Sequence, residues 1–143
     1  TSYSNNIRSN FGYMSYATDA QPYAADKLFH QSGRKVFKEV CPMAADHIMT
    51  HLSRHDLTPE NVSKWFLHQA NINMNTLICK KLLGRMATED EAPIILDEFA
   101  NTASAGSVIA FHQHQNSLEA DDYAIICSFG AGYSIGSLVL QKR

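Results

Sequence analysis

His68 and Asn101 are the side chains of this sequence best placed by type and context to act on a carbonyl oxygen. His68 ends the apolar run Trp65-Phe66-Leu67 within WFLHQANINMN, and Asn101 opens NTASAGS. Each has a structural reading of its own, the histidine as a satisfied group at a strand end and the asparagine as a helix cap or turn residue. Together, two neutral donors at adjacent corners can converge on one oxygen and stabilise a developing oxyanion or enolate. The Gly130-Ala131-Gly132 turn can add a main-chain N–H to the same pocket, because it carries no large side chain, or can simply close a hairpin.

Other constellations point less sharply. His47, His51 and His55 recur four residues apart, which is metal-ligand spacing on one helical face. His47 also belongs to an apolar stripe and no cysteine or carboxylate is grouped with the row, so no metal site is assigned. Histidines near a helix C-terminus complement its dipole, and His112 and His114 cannot share a helical face. Cys41 lies mid-helix among apolar residues, the setting of an inert thiol, and Cys79 and Cys127 sit similarly in a helix and a strand. Lys38, Lys80, Lys81 and Arg85 form either a solvated face or a local basic patch suited to an acidic protein or a phosphate-bearing thioester.

The elements that must position these residues follow from periodicity. Val36, Val40, Ala44, Ile48 and Leu52 fall at helical spacing from Gly33 onward, with Pro42 predicting a kink or break. Trp65 to Leu67 read as a buried strand that delivers His68 to a corner. Asn71 caps the next helix and Gly84 closes it. The run Ile94-Ile95-Leu96 reads as a short strand ahead of Asn101, and the C-terminal segment as two strands joined by the glycine turn. Residues 1–32, rich in Ser, Asn, Tyr and Ala, read as an irregular lead-in with a short strand near the start, and 33–143 as the folded unit. Alternating helices and strands argue an α/β sheet, mostly parallel, with a terminal antiparallel hairpin; in such sheets ligands bind at the carboxyl ends of strands.

Composition bounds the rest. The 143 residues are 45% hydrophobic and 18% charged, an ordinary single globular domain with no apolar run long enough to span a bilayer. A net charge of −2 provides no field for nucleic acid. Three cysteines in apolar segments fit reduced thiols and a cytoplasmic setting better than a disulfide framework. The start at Thr1, with neither an initiator methionine nor a secretory pattern, points to a piece of a longer protein.

Taken as a set, LHQANINMNTLICKKLLG, FANTASAGS and CSFGAGYSIGSLVL resemble, in order and spacing, the C-terminal half of the β-ketoacyl-acyl-carrier-protein synthase III enzymes of the thiolase superfamily. SGRKVFKEV resembles the preceding helix start. The resemblance covers about residues 30 to 143. It implies half of a thiolase-like fold and a part in decarboxylative condensation of an acyl thioester with malonyl-acyl-carrier protein, in fatty acid biosynthesis. It further implies acyl-CoA and carrier thioesters as substrates, no separate cofactor, and a homodimeric whole enzyme.

By the same resemblance, His68 and Asn101 bind the malonyl thioester oxygen and stabilise the enolate, and the main chain at Gly130 and Ala131 helps form an oxyanion hole. Gly33, Phe37 and Asn71 match positions along the pantetheine arm and tunnel mouth. Lys38, Gln69, Ala70, Ile72, Asn73, Lys80 and Lys81 match the carrier-protein contact region. The sequence departs from the family in three places. No cysteine matches the nucleophile, which lies in the N-terminal half; Asn73 stands where the family has an arginine; and Ala131 replaces a common glycine. The isolated chain is therefore expected to be inactive in condensation. Two other readings use the same residues: a thiolase-fold acyltransferase to an amine or alcohol, and a noncatalytic subunit that completes another chain's site.

Overall fold

A computed structural model describes Tyr3, residues 5–8 and residues 30–143, so most of the expected lead-in lies outside the described residues. Strands β1 (Ile7–Arg8) and β2 (His30–Gln31) pair antiparallel ahead of helix α1 (Gly33–Ser53). Strand β3 (Val62–Leu67), helix α2 (Ile72–Leu83), the single turn α3 (Leu96–Phe99), helix α4 (Ala105–His114) and strands β4 (Tyr123–Gly130) and β5 (Ser134–Gln141) follow. The sheet order is β3-β4-β5, with β3 and β4 parallel and β4 and β5 antiparallel.

The period-two alternation of the strands sorts the core into two layers. Trp65 and Leu67 of β3 and Ile125, Cys127 and Phe129 of β4 face one way, where they bury against α1 and α2. Phe66 and Ala124 face the other way and meet Ile95, Ala110 and Leu118, with Phe111 packed edge-on against Phe66 at 5.4 Å. Helices thus cover both faces of β3 and β4, which is why these strands read as near-continuous apolar runs.

Helix α1 runs unbroken through Pro42, so the expected local break does not occur. A mid-helix proline costs about 3 kcal/mol. Seven side chains of α1, from Val36 to Leu52, are buried, and each large one contributes about 1.5–3 kcal/mol, so packing of that stripe outweighs the loss. Asn71 caps α2 as expected: it is extended, and its Oδ1 accepts the Met74 N–H at 3.1 Å. Gly84 ends the helix at φ 70 in the left-handed conformation that favours glycine.

The strand expected over Ile94-Ile95-Leu96 is absent. Pro93 has no N–H to give a ladder, and the Ile95 N–H is taken by the side chain of Gln69 at 3.2 Å. Ile95 still buries its side chain, and the segment then enters α3 rather than a strand. Asn101 accordingly follows a short helix, not a strand end. In the hairpin turn only Gly132, at φ 125, needs a glycine backbone; Gly130 is the last residue of β4.

Candidate active site

The ends of β3 and β4, the segment after α3 and the start of β5 surround one cavity of about 670 Å3. His68, Asn101, Gly130 and Ala131 all line it, so residues far apart in sequence meet on one space. Ala70 lines it too, beside Met74, Ser104, Ser128 and Phe129.

His68 is 7% exposed, and its ring lies against that of Phe129 with centroids 4.5 Å apart. Burial disfavours the imidazolium and pushes the His68 pKa below the ordinary histidine value. Its Nδ1 is buried with no hydrogen-bond partner, while the His68 carbonyl accepts the Ala70 N–H at 3.0 Å and fixes the corner. Asn101 is exposed at the cavity wall. Its Oδ1 accepts the Ala103 N–H at 3.0 Å, which occupies the oxygen and fixes the carboxamide's sense. Ala100 and Ala103, on either side of it, have φ of 52 and 55, a costly conformation for residues with a Cβ.

A groove of about 380 Å3 adjoins the cavity and is lined by Gly33, Phe37, Lys38 and Asn71, with Arg34. Gln31 and Met74 belong to the walls of both, which makes cavity and groove neighbours. Ile72 and Asn73 are exposed on the first turn of α2, and Lys80 and Lys81 are exposed on its last. Gln69 is different and corrects the sequence expectation: its side chain has no exposed surface, so it cannot meet a carrier protein. Its amide satisfies backbone groups of the interior, which a motif match at a segment boundary does not reveal.

Several site residues were not marked by sequence reasoning. Phe129 and Met74 belong to the apolar periodicity and look like core, and Arg34 looks like an ordinary surface charge; only the tertiary arrangement aims them at the cavity or groove. Ser107 Oγ and Ser128 Oγ lie 2.7 Å apart and tie α4 to β4 behind the Asn101 segment.

The remaining candidates take no part in the cavity. Cys41, Cys79 and Cys127 are buried and unpaired, and burial pushes their pKa values up to about 11, 11 and 12. His51 Nδ1 lies 2.7 Å from Ser137 Oγ, and His51 and His55 rings are 5.3 Å apart. Among the described residues no group of three or more His, Cys, Asp or Glu side chains is arranged to hold a metal ion. Among them, too, no helix is long and apolar enough to cross a membrane.

Residues 52–142 match the family model described as 3-oxoacyl-[acyl-carrier-protein] synthase III C terminal. The chain is similar to the β-ketodecanoyl-[acyl-carrier-protein] synthase of Pseudomonas aeruginosa, 55% identical over 143 residues that cover all of this chain and 41% of that protein. It is also similar to the β-ketoacyl-[acyl-carrier-protein] synthase III of Lactobacillus helveticus, 31% identical over 88% of this chain and 38% of that one. Among solved structures, the 3-oxoacyl-(acyl carrier protein) synthase III of P. aeruginosa superposes with a TM-score of 0.79 at 18% identity, over 97% of this chain and 40% of its own. That likeness concerns the fold, and it agrees with the α/β, thiolase-like architecture expected from the motifs. The chain spans about two fifths of the length of these relatives. With the family model covering well over half of its residues, the chain belongs to the 3-oxoacyl-[acyl-carrier-protein] synthase III family and corresponds to its C-terminal region.

Proposed function

We propose that this chain supplies the enolate-stabilising half of a decarboxylative condensing site. The observation that carries the reading is the meeting of His68, Asn101 and the main chain at Gly130 and Ala131 on one cavity. When a malonyl thioester loses CO2, the electron pair of the broken C–C bond moves onto the thioester oxygen. A neutral His68, with Nδ1 buried, donates from its other nitrogen, and Asn101 donates from its NH2, both to that oxygen. The enolate carbon then attacks an acyl thioester held on a cysteine. Main-chain N–H groups near Gly130 and Ala131 receive the tetrahedral oxyanion before the thiolate leaves.

The nucleophilic cysteine belongs to the rest of the whole enzyme, since all cysteines of this chain are buried with raised pKa values. The partners are acyl-CoA and malonyl-acyl-carrier protein, taken as substrates without a separate cofactor. The groove at Gly33, Phe37 and Asn71 accepts the pantetheine arm, and exposed Lys38, Lys80 and Lys81, with Ile72 and Asn73, face the acidic carrier. The whole protein is a cytoplasmic homodimeric acyltransferase, and the P. aeruginosa relative points to a medium-chain product.

The test joins this chain to the part of the P. aeruginosa relative that it does not span. The joined enzyme is expected to condense an acyl thioester with malonyl-carrier protein. His68→Ala and Asn101→Ala should each lower CO2 release roughly 100-fold or more while acyl transfer onto the cysteine persists. The chain alone should show no condensation. Unchanged CO2 release in both variants, or cysteine-dependent condensation by the chain alone, overturns the reading.

A further inference from the structure

Gln69 directly follows His68 and is tied to both ends of the segment that carries Asn101. Its NH2 donates to the Leu67 carbonyl at 3.0 Å and to the Pro93 carbonyl at 3.3 Å, and its Oε1 accepts the Ile95 N–H at 3.2 Å. A buried carboxamide so committed is held in one orientation, because any rotation leaves polar groups unpaired in the interior. The segment from Pro93 to Gly106 carries Asn101. It leaves Gln69 at Pro93 and Ile95 and returns to it at Gly106, where a Cβ would lie 2.8 Å from Gln69 Cβ and 3.0 Å from its Cγ. Both ends of the segment therefore rest on the residue that directly follows His68. Between those ends, the positive φ of Ala100 and Ala103 persists only if the surroundings over-determine the backbone.

We infer that Gln69 is a positioning residue that sets the separation of His68 and Asn101, with Gly106 as the contact that lets α4 approach closely enough. The inference rests on the enolate reading above. Two donors stabilise one oxygen only while both lie within hydrogen-bond reach of it, and a shift of about 1 Å costs roughly 100-fold in rate.

The experiment is a double-mutant cycle in the joined enzyme described above. Gln69→Met keeps the side chain's bulk and removes its hydrogen bonds; Gly106→Ala keeps the hydrogen bonds and blocks the close approach. Each variant that folds, judged by its thermal midpoint and by acyl transfer onto the cysteine, should lower kcat for CO2 release roughly 10- to 100-fold with little change in KM. In an Asn101→Ala background the same substitution should lower kcat by less than about threefold, because the partner it positions is gone. Equal losses in both backgrounds, or normal kcat in a folded variant, overturn the inference while leaving the enolate reading standing. An enzyme whose His68→Ala and Asn101→Ala variants keep full CO2 release overturns both. If Gln69→Met fails to fold, the Gly106→Ala cycle and a Gln69→Asn variant, which shortens the reach, decide the matter by the same criterion.

Discussion

His68 and Phe129 sit side by side at the ends of two parallel strands, their rings 4.5 Å apart and tilted by 56°. The phenyl ring takes the place of water against the imidazole, and burial favours its neutral form over the imidazolium. Under the function proposed above, an imidazolium would be a stronger donor but would attract the malonyl carboxylate that must depart. In that proposal the neutral ring stabilises charge only as it develops on the enolate oxygen.

This relationship sets a pH dependence. The folded pKa of His68 lies below its ordinary value of 6.5, so between the two values the unfolded chain binds a proton that the folded chain does not. Stability is therefore unaffected above pH 6.5 and falls as pH drops through 6.5 toward the folded value. The joined enzyme should hold its CO2 release to below pH 6.5. Phe129→Leu, which admits water, should move the acid limb of that profile upward. A profile identical to that of the parent would show that Phe129 does not tune the ring.

The buried thiols should be inert. With pKa values raised to about 11, 11 and 12, Cys41, Cys79 and Cys127 carry almost no thiolate at neutral pH. Iodoacetamide should label none of them in the folded chain and all of them in urea, as read by intact mass. Incubation with an acyl-CoA should add no acyl group to the folded chain; an adduct on any of these cysteines would refute their structural role.

The backbone around Asn101 should separate stability from activity. Ala100 adopts φ 52 and ψ −155, close to a region that is essentially reserved for glycine. Ala100→Gly relieves that strain at some entropic cost and should raise the unfolding free energy by about 1 kcal/mol. The freed segment holds Asn101 less firmly, so CO2 release by the joined enzyme should fall. Urea unfolding and kcat, measured on the same variant, should thus move in opposite directions.

A surface pair gives an acid dependence of its own. Arg85 grips Glu91 through both guanidinium branches, at 2.8 and 2.5 Å, and this hydrogen bonding holds the Glu91 carboxyl down at about 2. A depressed carboxyl contributes its full stability above the unfolded value of 4.5 and loses it as pH falls from there toward 2. Arg85 is half exposed, so solvent screens the pair and the effect is small. Arg85→Met should flatten that part of the stability profile, measured as the urea midpoint against pH, and leave the neutral region nearly unchanged.

Much of the site's cast was legible from local pattern. Period-three-to-four apolar spacing marked α1 and α2, the cap and the terminal glycine bounded α2, and the unbroken apolar run placed His68 at the end of β3. These features depend on a residue's near neighbours along the chain, which is why local pattern is enough to specify them. What it could not determine were outcomes of competition between distant groups. Whether Ile95 joins a ladder depends on Gln69 offering its oxygen first, and whether Pro42 breaks α1 depends on how much apolar surface that helix buries. Gln69 resembles a surface residue of a docking segment, yet tertiary packing against Gly106 and the Pro93 carbonyl makes it an interior anchor for the segment that carries Asn101. The identities of His68 and Asn101 were written in the chain; their meeting on one cavity was decided by long-range packing, because only the folded arrangement brings the ends of β3 and β4 against the segment that follows α3.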